Sequence, residues 1–182
     1  INRKIMFLHT LRLLIRNFTA SDLEAFLTYR NGPEVAKYQS WSIPYSREKG
    51  ESFIAEMKDI HAPKQGQWLQ LALELKETDA LIGDVAFCIK DDDIRQAVIG
   101  FTVASSYWQQ GFATEALTAL LDYLFEDIDL RRVVADCDTE NTGSWKTLEK
   151  LGFRREAYFV ESLLTGKEYT SEYYYGLLQR EW

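Results

Sequence analysis

The hydrophobic pattern of the chain changes its period once, near residue 105, and this change restricts the possible folds more than any other feature. Before it, three runs have apolar side chains at every second position, as strands with one buried face do. The runs are Trp68–Leu75, 81–89 and 95–104, and a polar turn at residues 90–93 separates the last two. Because the connections are short, the sequence predicts an antiparallel meander.

After residue 105 the apolar side chains recur with helical spacing. A helix that opens at Gly111 has a wide apolar stripe, formed by Ala113, Ala116, Leu117, Leu120, Leu121, Leu124 and Phe125. A strand at 131–138 and a short helix at 141–151 follow it. The C-terminal part then reads as two strands, 153–164 and 167–178, joined by a turn at Thr165 and Gly166.

The N-terminal part adds one strand and two helices. Residues 11–18 alternate as a strand, and residues 19–30 have helical spacing. The second helix follows an irregular stretch up to Ser46, and its apolar positions are Phe53, Ile54, Met57 and Ile60. This order predicts a mixed α/β (α+β) fold with a central, mostly antiparallel sheet of about seven strands and about four helices. With 182 residues, we expect a single domain over residues 1–182.

Charge and cysteine content argue against several classes of function. The formal net charge is −7, the isoelectric point is about 5.0, and no basic patch typical of nucleic-acid-binding proteins is present. Cys88 and Cys137 lie in apolar strand segments and are too few for a metal cluster or a disulfide scaffold. No segment approaches the roughly 20 apolar residues of a membrane span. We therefore expect a cytoplasmic protein with no metal and no nucleic-acid or membrane partner.

The junction between the strand at 98–104 and the helix at Gly111 predicts a phosphate-binding site. The first N–H groups of a helix have no acceptor within the helix, and the helix dipole makes this end positive. Small residues at 111 and 113 let a pyrophosphate approach those N–H groups. The candidate residues are Gln109, Gln110, Gly111, Phe112, Ala113 and Thr114. A purely structural helix start is the alternative, and the lack of a Gly-Lys-Ser/Thr sequence argues against a nucleoside-triphosphate loop.

A second helix start provides a further candidate site. Asn141 is suited to cap the helix that follows it, and its amide can accept from the helix through oxygen while donating to a ligand through NH₂. Ser144 lies in the first turn, where its hydroxyl either satisfies the helix end or contacts a ligand. The residues alone leave both roles open at both positions.

The order of these elements and motifs resembles the GNAT superfamily of N-acetyltransferases over nearly the whole chain. The phosphate-loop motif of the superfamily, Gln/Arg-x-x-Gly-x-Gly/Ala, aligns with residues 108–113. Asn141, Ser144 and residues 148–153 resemble the branch of ribosomal-protein alanine and serine N-acetyltransferases (RimJ/RimL-like). The resemblance implies an enzyme that moves an acetyl group from acetyl-coenzyme A (acetyl-CoA) directly to an amine in a ternary complex.

The same resemblance implies roles for the candidate residues. The loop from Gln109 to Thr114 would hold the pyrophosphate through its N–H groups. Asn141 would hold the pantetheine arm, and Ser144 would protonate or stabilise the leaving thiolate. A backbone N–H in the central strand would polarise the thioester carbonyl as charge develops on its oxygen. The candidates for that N–H are Phe101, Thr102 and Val103.

Two departures from the family pattern leave the proton transfers undefined. Trp108 stands where most members have Gln or Arg, and Leu148 stands where many have a tyrosine general acid. The only histidines, His9 and His61, are far from the motifs in sequence, so we expect a carboxylate as the base. Glu74 is our candidate because it projects from a central strand opposite the leucines. The alternatives are Glu115, Glu161 and Glu172.

The acceptor amine stays open at this stage. Protein N-termini, polyamines, aminoglycosides and amino-acid derivatives all present a suitable amine. Because the tyrosine acid is absent, a non-catalytic acetyl-CoA-binding sensor or regulatory module is the alternative function. A homodimer is compatible with either function.

Overall fold

A β-sheet lies at the centre of the molecule, with α-helices on both of its faces. The computed structural model describes residues 8–165 and 168–182. Within them the strands are β1 (Leu8–His9), β2 (Leu13–Arg16), β3 (Trp68–Leu75), β4 (Ala80–Ile89), β5 (Gln96–Val103), β6 (Arg132–Asp138), β7 (Arg154–Thr165) and β8 (Glu168–Leu178). The helices are α1 (Leu23–Arg30), α2 (Pro33–Ala36), α3 (Arg47–Lys58), α4 (Phe112–Asp122) and α5 (Thr142–Lys150).

The observed topology confirms the predicted mixed α/β fold. The strand order is β1-β2-β3-β4-β5-β6-β8-β7, and β3, β4 and β5 form the predicted antiparallel meander. The predicted count of strands omits β1, which is two residues long and too short for alternation to show. The count of helices omits α2, a four-residue helix inside the stretch interpreted as irregular, where Pro33 occupies the first helical position that suits proline. The predicted turn at Thr165 and Gly166 extends beyond the described residues.

The strands β5 and β6 are parallel neighbours that separate along their length. They pair at three positions, from Gln96 opposite Arg132 to Val98 opposite Val134. A parallel connection needs a crossover, which α4 provides. Beyond Val98 and Val134 the described residues of β5 and β6 do not pair, so an opening forms between the C-terminal halves of the two strands.

Each face of the sheet has its own hydrophobic core. The α4 face, covered by α4 and α5, buries Leu71, Leu117 and Leu148 in one cluster. The α1 face, covered by α1 to α3, buries Phe26 and Ala72 in a second cluster. In the part of the chain that the structure describes, no helix combines the length and the apolar character needed to cross a bilayer.

Candidate active site

A cleft of about 700 Å³ lies between the end of β5 and the start of α5, the helix that follows β6. The end of β5, the loop at 105–111, the first turn of α4, the region of α2 and the start of α5 form its walls. The predicted site residues that line it are Phe101, Thr102, Val103, Gln109, Gly111, Phe112, Ala113, Thr114, Asn141 and Ser144. A cleft of this volume falls in the range of roughly 300–1,000 Å³ that small-molecule sites occupy.

The backbone of β5 offers hydrogen-bonding groups to this cleft. The Ala104 N–H donates to the Ile82 carbonyl of β4 at 2.8 Å. Because the N–H and C=O groups of a strand alternate in direction, those of Thr102 also point to β4, whereas those of Phe101 and Val103 point to the opening. The two N–H groups on the cleft edge are therefore those of Phe101 and Val103, and not that of Thr102.

The loop from Gln109 to Thr114, called the phosphate loop after its expected role, borders the same cleft. Gln109 and Gly111 have positive φ values of 60° and 82°, and Gly111 is the N-cap of α4. Such left-handed residues at a helix start form a concave group of N–H donors suited to an anion. Gln110 is the exception among the predicted residues. It is absent from the cleft wall, and its side-chain amide donates to the Ser106 carbonyl at 3.0 Å.

Arg12 holds the phosphate loop in place, a role that the sequence analysis missed. Its Nε donates to Glu115 at 2.7 Å, and its guanidinium also donates to the Gln110 carbonyl at 3.1 Å. The guanidinium carbon lies 4.0 Å from the centre of the Phe112 ring. Arg12 and Gln110 are 98 residues apart in sequence, so no local pattern connects them.

Trp108, a departure from the family motif, stabilises the end of β5. Its indole N–H donates to the Val103 carbonyl at 2.6 Å. The loop is therefore fastened to the strand by the tryptophan side chain. Leu148, the other departure, is 1% exposed and packs in the α4-face core. Its side chain has no proton to donate and does not reach the cleft.

The start of α5 has the geometry expected of a cap that also faces a ligand. The Asn141 Oδ1 accepts from the Ser144 N–H at 3.2 Å. This bond leaves the Asn141 NH₂ group without a partner among residues 8–165 and 168–182. Lys146 and Lys150, which the sequence analysis did not single out, line the cleft on the same helix, one turn apart. Lysines at i and i+4 carry no signal of a site in the sequence, and only the fold shows which surface they border.

The structure places Glu74 outside the cleft. Its carboxylate accepts from the Arg16 Nε at 2.6 Å, and Arg16 also pairs with Asp22 at 2.8 Å. All three side chains are largely buried, so Glu74 satisfies an internal cation and is not available to an acceptor. Glu74 was chosen because alternation put it opposite the leucines, but α1 to α3 cover that face at this end of the sheet.

The alternative carboxylates differ in their surroundings. Glu115 accepts from Thr10 and Arg12; burial opposes its ionisation, but these hydrogen bonds outweigh burial and hold its pKa below the usual range. Glu161 is exposed on β7. Glu172 is on β8, where it accepts from the Ser162 hydroxyl at 2.7 Å.

A buried polar network fixes the helices of the α1 face to the sheet beside the cleft. Asp84 of β4 is 1% exposed and accepts from the Tyr29 hydroxyl at 2.5 Å and from Gln70 at 2.8 Å. Burial and the Asp84 charge raise the pKa of Tyr29 well above its ordinary value. Arg30 lies 3.6 Å from Asp84 and stacks at 3.8 Å on the Trp41 ring. These contacts anchor the end of α1, and α2 continues from there to the cleft wall.

Comparison with known proteins agrees with this geometry. The sequence profile described as "Acetyltransferase (GNAT) domain" matches residues 12–154. The chain therefore belongs to the GNAT acetyltransferase family, whose members use acetyl-CoA to acetylate amines. The uncharacterized N-acetyltransferase YnaD of Bacillus subtilis (strain 168) is 33% identical over 177 residues, which cover 97% of this chain and 99% of YnaD.

Further relatives and solved structures extend this result. The ribosomal protein uS5-alanine N-acetyltransferase of Escherichia coli (strain K12) is 24% identical over 120 residues, 65% of this chain and 62% of that enzyme. A GNAT-family acetyltransferase from Bacillus anthracis is 34% identical, with a TM-score of 0.83 over 97% of this chain and all of that one. Mycobacterium smegmatis RimJ in complex with CoA-disulfide shares the fold, with a TM-score of 0.82 at 22% identity, over 97% of this chain and 88% of RimJ. These matches confirm the family that the sequence resembles, and the chain is an N-acetyltransferase; a ribosomal-protein N-acetyltransferase is among its relatives.

Proposed function

We propose that the chain transfers the acetyl group of acetyl-CoA to a primary amine by direct attack within a ternary complex. The amine belongs to a small molecule or to a peptide or protein N-terminus. One observation supports this most: the outward N–H groups of Phe101 and Val103, the phosphate loop and the free NH₂ of Asn141 border the same cleft.

The cleft fits the cosubstrate at both of its ends. The N–H groups of Phe112, Ala113 and Thr114, at the start of α4, are donors for the pyrophosphate. The edge of β5 between Val98 and Val103 is available to pair with an amide-containing arm, as an added strand would. Acetyl-CoA supplies an activated thioester, whose carbonyl carbon is open to attack by an amine.

Three groups of this chain serve the chemistry at the thioester. The N–H groups of Phe101 and Val103 stabilise the charge that develops on the carbonyl oxygen. The half-buried Ser144 hydroxyl donates to the departing sulfur, in place of the tyrosine that many members have. Because Leu148 is buried in the core, proton donation falls to Ser144 or to a water molecule at its hydroxyl.

Lys146 and Lys150 add positive charge to the cofactor side of the cleft. Coenzyme A has a 3′-phosphate besides its pyrophosphate, and a compact ammonium group is a suitable partner for it. We assign these lysines to the phosphates of the cosubstrate, because the phosphate loop itself has no charged side chain.

An acceptor panel tests the proposed function. Purified protein is incubated with acetyl-CoA and one amine from each class: a peptide with a free N-terminus, a polyamine, an aminoglycoside and an amino-acid derivative. Release of free CoA thiol that depends on one of these amines is the expected result. Calorimetric binding of acetyl-CoA without thiol release in any mixture would contradict transfer and favour a sensor.

A further inference from the structure

Asp136 lies at the point where the opening between β5 and β6 begins. It follows Val134, the last position at which β6 pairs with β5, by two residues. Because side chains alternate along a strand, Asp136 projects to the same face as Val134. The corresponding position of β5, two residues after Val98, is Gly100, which leaves that face without a side chain. This is the α1 face, on which Asp84 meets Tyr29 and Arg30. The helices α4 and α5, whose first turns line the cleft, are on the opposite face.

The space in front of Asp136 is open. A Cβ atom built on Gly100 would meet nothing within 4 Å. On the other side of Asp136 stands Tyr174 of β8, which is its direct cross-strand partner and contacts the exposed Phe159 ring edge-on. The helices α1 and α3 of this face pack on β4 and β3, and the side chain of Asp136 is exposed. An acceptor can therefore reach the opening from this face while the cosubstrate occupies the other.

The surroundings of Asp136 raise the pKa of its carboxyl group, which suits a group that accepts a proton. Its side chain is accessible to solvent, yet the protein around it removes part of its hydration, and this desolvation together with the Glu172 charge raises its pKa. Tyr174 and Glu172 face it from β8, and Asp138 and Arg132 lie on the same face of its own strand. Arg132 forms an ion pair with Glu156 of β7.

Other acidic side chains on this face already have partners. Asp138 is 6% exposed and accepts from the Glu140 N–H at 2.8 Å. Asp84 accepts from Tyr29 and Gln70, and Glu74 from Arg16. Among the residues that the structure describes, no cation pairs with Asp136, so its carboxylate is available to a ligand ammonium.

Building on the proposed function, we propose that Asp136 is the general base, which takes the proton from the ammonium group of the acceptor. Glu172 is a positioning residue, which acts through Asp136 by its charge. The assignment replaces Glu74, which is committed to Arg16.

The proton and electron balance of the step is complete without a further reactant. The Asp136 carboxylate takes one proton from R–NH₃⁺, and the freed nitrogen lone pair forms the N–C bond to the thioester carbonyl carbon. The C–S bond breaks, and its electron pair leaves on sulfur, which receives a proton from Ser144 or water. The nitrogen loses its second proton to that donor through solvent. The products are R–NH–CO–CH₃ and CoA–SH, and the proton on Asp136 passes to solvent.

Replacing the carboxylate by its isosteric amide tests the assignment. In Asp136→Asn we expect kcat to fall by about 10²- to 10⁴-fold, the usual contribution of a general base. The affinity for acetyl-CoA, measured by calorimetry, should stay unchanged, because Asp136 is on the acceptor face. Asp59→Asn is the matched control, since Asp59 is an exposed aspartate at the end of α3. Wild-type kcat in folded Asp136→Asn would overturn the proposal.

The pH profile separates a base from a residue that only supports the fold. The acidic limb of kcat should reflect Asp136 and should disappear in Asp136→Asn. In Glu172→Gln the neighbouring negative charge is lost, so the pKa of Asp136 falls and the limb should move to lower pH. A limb that stays in place in both variants would overturn the assignment while leaving the proposed function intact. Wild-type protein that binds acetyl-CoA but acetylates no amine would instead overturn the proposed function.

Discussion

Gly111 has a φ of 82°, a backbone conformation that L-residues with a branched Cβ adopt only with strain. The space is not crowded, because an added Cβ would meet only Arg12 at 3.5 Å. We therefore expect Gly111→Val to lower acetyl-CoA affinity more than tenfold, an effect of about 1.4 kcal/mol or more, by turning the loop N–H groups away. Gly111→Asn should bind more tightly than Gly111→Val, because asparagine tolerates this conformation. Calorimetry on both decides, and equal affinity in wild type and Gly111→Val would contradict the phosphate-loop assignment.

Asn141 combines two functions that one substitution can separate. Aspartate caps a helix as well as asparagine does, so Asn141→Asp should keep the thermal midpoint of unfolding. It replaces the free NH₂ donor by an anion, so acetyl-CoA affinity should fall by about tenfold or more. Melting curves and calorimetry measure the two effects independently. Unchanged affinity in a folded variant would reduce Asn141 to a helix cap.

At the scale of elements, Glu115 of α4 joins that helix to the N-terminal strands by accepting hydrogen bonds from Thr10 and Arg12. Its depressed pKa means that the folded state gains stability from the carboxylate above the ordinary glutamate pKa, and loses it as the pH falls through the folded-state pKa. In Glu115→Gln we expect a loss of stability at pH 7 that shrinks in acid. Urea unfolding of both proteins at neutral and at acidic pH measures this. A difference that does not depend on pH would contradict an ionised tie.

The close approach of β4 and β5 at Gly83 provides a second test at this scale. A Cβ on Gly83 would lie 2.2 Å from the Thr102 carbonyl oxygen. Gly83→Ala must therefore displace β5 at Thr102, between the two residues, Phe101 and Val103, whose N–H groups face the cleft. We expect a destabilisation of roughly 1–3 kcal/mol and weaker acetyl-CoA binding. In Gly143→Ala, the comparison variant, the nearest atom is 3.9 Å away, and stability should hold or rise. If Gly83→Ala were as stable as the wild type, β5 would be able to move without loss of stability, which contradicts this prediction.

For the molecule as a whole, both hydrophobic cores share the same sheet and should unfold together. We expect one transition in urea, with the same midpoint by tryptophan fluorescence and by circular dichroism. Acetyl-CoA at about 100 times its Kd should stabilise that transition by about 2.7 kcal/mol. Two transitions, only one of which responds to acetyl-CoA, would contradict the single domain expected from the sequence.

The sequence predicted the parts of this molecule that local periodicity encodes. The bounds of β3 matched, and the helix starts at Gly111 and Asn141 were located, because alternation and capping are properties of neighbouring residues. The resemblance to the family assigned ten residues that line the cleft.

The contacts between distant segments were not predictable in this way. The Arg12 clamp on the phosphate loop and the Arg16 partner of Glu74 join residues 98 and 58 positions apart. Asp136 was overlooked because only the separation of β5 from β6 distinguishes it from other strand aspartates. Glu74 was overvalued because the pattern of one strand does not show which helices cover its polar face.

The sheet that joins the two cores also keeps two kinds of evolutionary change apart. On the assignments proposed above, most residues that hold the donor lie around α4 and α5 on one side of the sheet, although the region of α2 also reaches the cleft. The residues proposed to meet the acceptor lie on the other side, at Asp136 and the exposed end of β7 and β8. A lineage can therefore exchange one amine for another by altering side chains such as Phe159 and Tyr174, while the machinery for the common acetyl donor is inherited unchanged. For an engineer, the same division means that acceptor preference can be screened in a library confined to one side of the sheet. Measured acetyl-CoA affinity then serves as the control that the donor side is unchanged.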